Sequence, residues 1–171
     1  MEKAKSIRWP RLLISIVVCL GAGGLGSIPT AKALKEWYPS LEKPSFNPPN
    51  AIFGPVWTLL YILMGVAAYL VSERGDEEAS AELIRRAESL FAVQLGLNTV
   101  WSVLFFGLRS PLAALIELAA LWIAIVMTIR SFAKVSRPAA LLLAPYLAWT
   151  TFAAALNASI WWLNRDNPSA A

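Results

Sequence analysis

Three apolar stretches of this chain carry side chains that such stretches usually lack. Gln94, Asn98, Trp101 and Ser102 are spaced i, i+4, i+7 and i+8; Trp149, Ala153 and Asn157 are spaced i, i+4 and i+8; Trp57, Tyr61 and Met64 are spaced i, i+4 and i+7. In a helix each set shares one face. A carboxamide turned toward hydrocarbon forgoes its hydrogen bonds at a cost of several kcal/mol, so these faces must point inward. Two outcomes are open. The groups make interhelical hydrogen bonds and aromatic contacts, worth about 1 kcal/mol each. Alternatively they converge on one cavity, where indoles stack on a flat guest and amides orient it. For the set as a whole, the bulk of tryptophan away from span ends favours the cavity.

The inventory excludes much other chemistry. The chain contains no histidine and one cysteine, Cys19. Imidazole-based zinc sites, histidine-ligated haem, a Ser–His–Asp triad, an intrachain disulfide and Cys-rich clusters are therefore impossible. No Walker loop and no GxGxxG occurs. No metal site and no resident cofactor is expected.

The elements that carry these residues are legible from charge placement. The chain has 171 residues, 57% of them hydrophobic and 15% charged. Ordinary soluble domains are about 45–50% apolar and about 25% charged. No charge lies between Arg11 and Lys32, Lys43 and Glu73, Glu88 and Arg109, or Arg137 and Arg165, and only Glu117 lies between Arg109 and Arg130. A bilayer is spanned by about 20 apolar residues in a helix, whereas barrel strands are about 10 residues of alternating pattern. The pattern predicts an all-α integral membrane protein, a single five-helix bundle with spans at about 10–30, 48–72, 86–107, 111–131 and 138–163. It excludes a soluble globular domain, a disordered chain and a β-barrel.

Proline sharpens these bounds. Asn47-Pro48, Pro111 and Pro138 resemble helix starts, and Pro55 and Pro145 should kink or loosen spans 2 and 5. Residues 31–47 form a long, lid-like first loop with Trp37, Tyr38, Lys43 and Pro44. Residues 73–88 are mixed in charge and must lie in water. The basic residues cluster at span ends, which makes nucleic acid a poor explanation of the net charge of +4. Their counts place the N-terminus in the cytoplasm and the first loop outside, in a prokaryotic cell membrane.

Other residues have blander readings. Trp9, Trp161 and Trp162 lie at span ends and suit an aromatic belt at the headgroups. Trp122 suits packing or lipid contact. Glu117, the one charge inside a span, reads best as a hydrogen-bonded or neutral acid near an interface, with a proton or cation site as the rival. Ala22/Gly26 and Gly23/Ser27 are small-xxx-small pairs, suited to close approach within the bundle or to a homodimer face.

Assembled in order, these residues resemble the TspO/MBR family. The first loop and span 2 supply Trp37-Tyr38, Leu41, Lys43-Pro44, Pro48-Pro49, Phe53, Val56-Trp57-Thr58 and Leu60-Tyr61. Span 3 supplies Gln94, Asn98, Trp101 and Phe105-Phe106-Gly107, and span 5 supplies Pro145-Tyr146-Leu147, Trp149, Phe152-Ala153 and Leu156-Asn157. The resemblance implies a five-helix bundle that binds porphyrins such as protoporphyrin IX, haem or other hydrophobic molecules in a pocket closed by the first loop. By position it assigns Trp37, Trp57, Tyr61, Asn98, Trp101, Trp149, Ala153 and Asn157 to that pocket. Some relatives degrade protoporphyrin IX in light and oxygen, and Trp57 and Trp149 match tryptophans tied to that activity. The chain departs from animal relatives at Ala158 and Ser159, where a sterol motif carries tyrosine, and at Ala113, where an aromatic stands.

The expectation is a receptor or carrier in which a tetrapyrrole leaves the bilayer for a pocket among spans 1, 2, 3 and 5. There Asn98 and Asn157 donate hydrogen bonds to it, and Lys43 or Lys35 meets a propionate. Two rivals are a light-dependent enzyme using Trp57 and Trp149, and a small transporter or channel coupled through Glu117.

Overall fold

A computed structural model describes residues 7–74 and 81–166. Six α-helices account for most of it: α1 (Trp9–Glu36), α2 (Asn50–Arg74), α3 (Ala81–Ser102), α4 (Pro111–Val135), α5 (Arg137–Leu142) and α6 (Ala144–Asn164), with a 3₁₀ turn at Tyr38–Ser40 and a π segment at Val103–Gly107. No strand is present among the described residues. With α3 joined to the π segment and α5 to α6, five helical stretches are long and apolar enough to cross a membrane. The protein is an all-α, multi-pass membrane protein.

Four boundaries differ from the sequence expectation, each for a physical reason. The first helix runs to Glu36 rather than to about 30, although Pro29 lies inside it. A proline removes one backbone hydrogen bond, and membrane helices tolerate that loss. The first loop is shortened accordingly and opens on the 3₁₀ turn. α3 begins at Ala81 rather than at about 86, and α4 continues to Val135 rather than to about 131. Charged residues end the lipid-facing stretch but not the helix, as buried Ile84 and Ala87 show in the first turns of α3. Span 5 divides at Leu143, and Pro145 takes the first turn of α6, where its missing N–H costs nothing. Of the mixed-charge connection, residues 75–80 fall outside the described part.

Ser110 and Ser136 cap α4 and α5 by accepting from the amides of Ala113 and Ala139. Arg109 turns the chain between the π segment and α4 with φ 52° and lies 3.8 Å from Glu36. α1 packs on α2 and α3, α4 packs on α3 and α6, and α5 packs on α2 and α4. One apolar core surrounds Met64, Val71, Leu121, Phe132 and Tyr146. A second, at the loop end, gathers Trp37, Tyr38, Leu41, Phe105 and Ile160.

α1 and α2 are bound closely at one end. A Cβ on Gly65 would lie 2.6 Å from the backbone of Ile16, so only glycine permits this approach. Beyond it the Arg8 amide donates to the Tyr69 hydroxyl (3.0 Å), and Glu73 pairs with Arg8 (3.4 Å) and Arg11 (3.1 Å). The small residues expected at a close contact are used within the bundle. A Cβ on Gly23 would collide with the Tyr61 ring, and one on Gly26 would lie 3.0 Å from the Ser102 hydroxyl.

A candidate ligand cavity between the helices

Toward the loop end the helices part and enclose a cavity of about 420 Å³. That lies within the usual ligand-site range of about 300–1,000 Å³. Its aromatic wall comes from separate elements: Trp57 and Tyr61 from α2, Trp101 from α3, Phe105 and Phe106 from the π segment, and Trp149 from α6. Tyr38 of the first loop closes one end. Among the described residues, no charged side chain lines it.

The sequence stripes meet here in large part. Trp57, Tyr61, Asn98, Trp101, Ser102, Trp149, Ala153 and Asn157 all reach the wall, while Gln94 and Met64 are buried off it. Trp57 lies 5.6 Å from the Tyr61 ring and 6.2 Å from that of Tyr146, and Trp149 lies 5.9 Å from Phe53 and 5.4 Å from Phe152. Trp101 stacks on Phe105 at 5.4 Å. These contacts hold the indoles in fixed orientations around the vacant volume.

The amides act differently from the expectation. Asn98 accepts from the Tyr61 hydroxyl and donates to the Tyr146 hydroxyl at 3.0 Å. Asn157 accepts from the Trp101 indole N–H at 3.2 Å and donates to the Pro111 carbonyl at 2.8 Å. Both are 1% exposed. Each is therefore engaged on both sides of its carboxamide and serves to position aromatic walls. The indole N–H groups of Trp57 and Trp149 have no hydrogen-bond partner among the described residues.

Four other expected residues stand elsewhere. Trp37 is buried but not on the cavity wall; it packs edge-on against Phe105 at 5.6 Å, and its indole N–H has no partner. Lys43 also lies off the wall. Its ammonium donates to the Leu41 carbonyl at 2.8 Å and sits 5.0 Å over the Tyr38 ring. Partial burial lowers its pKa, and burial raises that of Tyr38. Lys35 is exposed near the end of α1 and does not line the cavity either. Glu117 is half-buried in α4 and off the cavity wall, with both carboxylate oxygens buried and without a hydrogen-bond partner among the described residues.

Sequence reading missed several wall residues. Phe105 and Phe106 come from the π segment, whose changed period brings adjacent aromatics to one site. Gly23, Gly24 and Gly26 contribute to the α1 wall: the first and last let Tyr61 and Ser102 approach, and at Gly24 a Cβ would meet no atom within 4 Å. Tyr146 was hidden as the partner of Asn98, because a tyrosine beside a proline carries no pairing signal.

The first loop is fastened over this end. Asn164 at the end of α6 grips Glu42 twice: its Nδ2 donates to the Glu42 carbonyl (2.8 Å) and its Oδ1 accepts from the Glu42 amide (2.9 Å). The Tyr38 hydroxyl donates to Asn47 at 2.8 Å.

A five-span bundle with an aromatic, uncharged cavity defines a membrane protein of the receptor or transporter kind. The TspO/MBR family profile matches residues 15–163. The chain is 47% identical to the tryptophan-rich protein TspO of Archaeoglobus fulgidus over 154 residues, which cover 90% of this chain and 97% of that one. It is 47% identical to that of Chlorobaculum tepidum, covering 90% and 95%. It is 42% identical to the human translocator protein over 135 residues, covering 77% and 75%. The chain belongs to the TspO/MBR family.

Proposed function

We propose that this protein is a receptor or carrier that binds flat, largely apolar molecules, tetrapyrroles such as protoporphyrin IX first among them, within the helix bundle. The observation that carries this reading is the cavity itself: vacant volume walled on several sides by indole, phenol and phenyl rings, with both asparagine amides committed to holding those rings. Aromatic contacts add roughly 0.5–1.5 kcal/mol each beyond burial. The free N–H groups of Trp57 and Trp149 are donors available to a ring edge. An uncharged wall favours the body of a porphyrin over its ionised propionates, because a bare carboxylate in such a site is heavily penalised.

With no histidine in the chain, binding should not need metal ligation. Metal-free protoporphyrin IX and haem should therefore quench tryptophan fluorescence with affinities within about threefold of each other. A large preference for haem would overturn the reading. Truncating one wall, Trp149→Ala, should weaken binding about tenfold or more, in line with loss of an aromatic anchor.

A second reading is favoured by the placement of Trp57 and Trp149 on the same cavity: photo-oxidative degradation of the bound porphyrin, with an indole exchanging an electron with the excited ring and oxygen as oxidant. Illumination of purified protein with protoporphyrin IX tests it. Product that disappears in Trp57→Phe or Trp149→Phe supports an enzyme, and bleaching no faster than in a detergent blank excludes one. The proton-coupled transporter reading has less support, because Glu117 lies off the cavity wall.

A further inference from the structure

The residues that line the cavity differ in exposure, and the exposed ones are not scattered. They are Leu20, Gly24 and Ser27 on α1, and Gly54 and Thr58 on α2. Those contributed by the first loop, α3, the π segment and α6 are buried or half-buried. Leu20, Gly24 and Ser27 are spaced i, i+4 and i+7, and Gly54 and Thr58 are spaced i and i+4, so each set is one helix edge. A Cβ built on Gly24 or Gly54 would meet no atom within 4 Å. The same two helices touch backbone to side chain at Gly65 and Ile16 and are cross-linked by Glu73, Arg8 and Arg11 at their other end. The pair thus forms a wedge, closed at the Glu73 end and open beside the cavity. Both helix edges lie within the membrane-spanning stretches.

The other route, under the first loop, is closed by several independent fastenings. Trp37, Tyr38 and Leu41 are each at most 4% exposed. The double Asn164–Glu42 contact ties the loop to α6.

From this contrast we infer that ligand enters and leaves sideways, from the acyl-chain region of the bilayer through the gap between α1 and α2, while the first loop stays in place. The gap admits molecules already dissolved in the membrane, which makes lipid solubility the first selection the protein applies. The inference rests on the cavity being a binding site, but not on the ligand being a porphyrin. Gly24, Gly54 and Thr58 set the width of the opening.

The test uses full-length protein in phospholipid vesicles and a small lipid-soluble aryl diazirine, which on illumination inserts into whatever it touches. Mass spectrometry reads labelling of Trp57 and Trp149. Gly24→Phe with Thr58→Phe narrows the gap; Gly54→Leu does so more gently, in case the double variant folds poorly. Asn164→Ala loosens the loop without touching the cavity. Narrowing should cut labelling of both tryptophans about tenfold, as expected when a gate controls access. Asn164→Ala should leave it within about twofold of the wild type, as expected if the loop is not the gate. Labelling that survives both narrowing variants, or that rises sharply when the loop is loosened, would overturn the proposal.

Protoporphyrin IX binding kinetics form a separate arm. Association and dissociation should slow together in the narrowed variants, with the fall in association rate exceeding the rise in Kd; a narrowed variant that associates as fast as wild type counts against the gap. If protoporphyrin IX fails to bind at all while the diazirine result holds, the tetrapyrrole reading falls and the side entrance stands.

Discussion

Asn98 and Asn157 show how a polar residue inside a membrane protein can shape a site without offering itself to the ligand. Each donates one hydrogen bond and accepts one from protein partners, and those partners include the rings that form the wall. Replacing a buried hydrogen-bonding partner strands the groups left behind, at a cost of about 1–3 kcal/mol. Asn157→Ala should lower the apparent Tm in detergent and loosen Trp101, whose indole it holds. The loss of affinity should be the same for protoporphyrin IX and for its dimethyl ester. A loss confined to the free acid would mean that Asn157 contacts the ligand carboxylate directly. Gly65→Ala should be costly by about 1–3 kcal/mol of overpacking, read as a drop in thermal stability, because its methyl would press on the backbone of Ile16.

At this scale the sequence was most legible where side chains repeat with the helical period. Spacing alone grouped Asn98 with Trp101, and Trp149 with Asn157, because facing inward is forced on an amide in hydrocarbon. Trp37 and Lys43 resisted that reasoning. They sit in an aperiodic loop, where the position of a residue in the chain carries no statement about which way it points. Glu117 was visible as an anomaly, and its two partnerless oxygens keep it one.

Among the elements, the loop between α1 and α2 illustrates how packing overrides a composition signal. Its proline- and polar-rich sequence suggests a mobile lid, yet Trp37 and Tyr38 are among the more buried residues of the molecule. Its hydrogen-bonded anchor to α6 is one asparagine side chain, beside the Phe46–Phe152 ring contact at 6.2 Å. Asn164→Ala should therefore raise proteolytic cleavage within residues 38–49 severalfold while the spans stay folded, since local opening is governed by the contacts that close it. Unchanged cleavage would show that burial of Trp37 and Tyr38 suffices. The breaks in α3 and in span 5 were only partly legible. Pro145 announced an interruption, whereas nothing in Val103–Gly107 marks a π turn, which depends on the packing of the surrounding helices.

For the molecule as a whole, five spans put the N-terminus and the first loop on opposite sides of the membrane. The excess of Lys and Arg on the N-terminal side predicts that side to be cytoplasmic. A membrane-impermeant maleimide applied to intact cells should label Glu42→Cys; protection of that site until the cells are opened would reverse the orientation. Cys19 is buried and should stay silent in the same assay. The five-span architecture was legible because charge is so costly in hydrocarbon that its placement marks nearly every crossing. The cavity was not legible at this scale, since an unfilled volume depends on how whole helices diverge.

The wedge formed by α1 and α2 has a consequence for where the protein works. Its narrow end is fixed by a glycine and a cluster of charges, while its wide end is edged by the exposed residues Leu20, Gly24, Ser27, Gly54 and Thr58. Stiff, ordered chains pressed against that wide edge resist parting, and fluid chains yield. On the side-entrance proposal, the speed of ligand exchange should depend on the physical state of the surrounding lipid, quick in a loose membrane and slow in a rigid one.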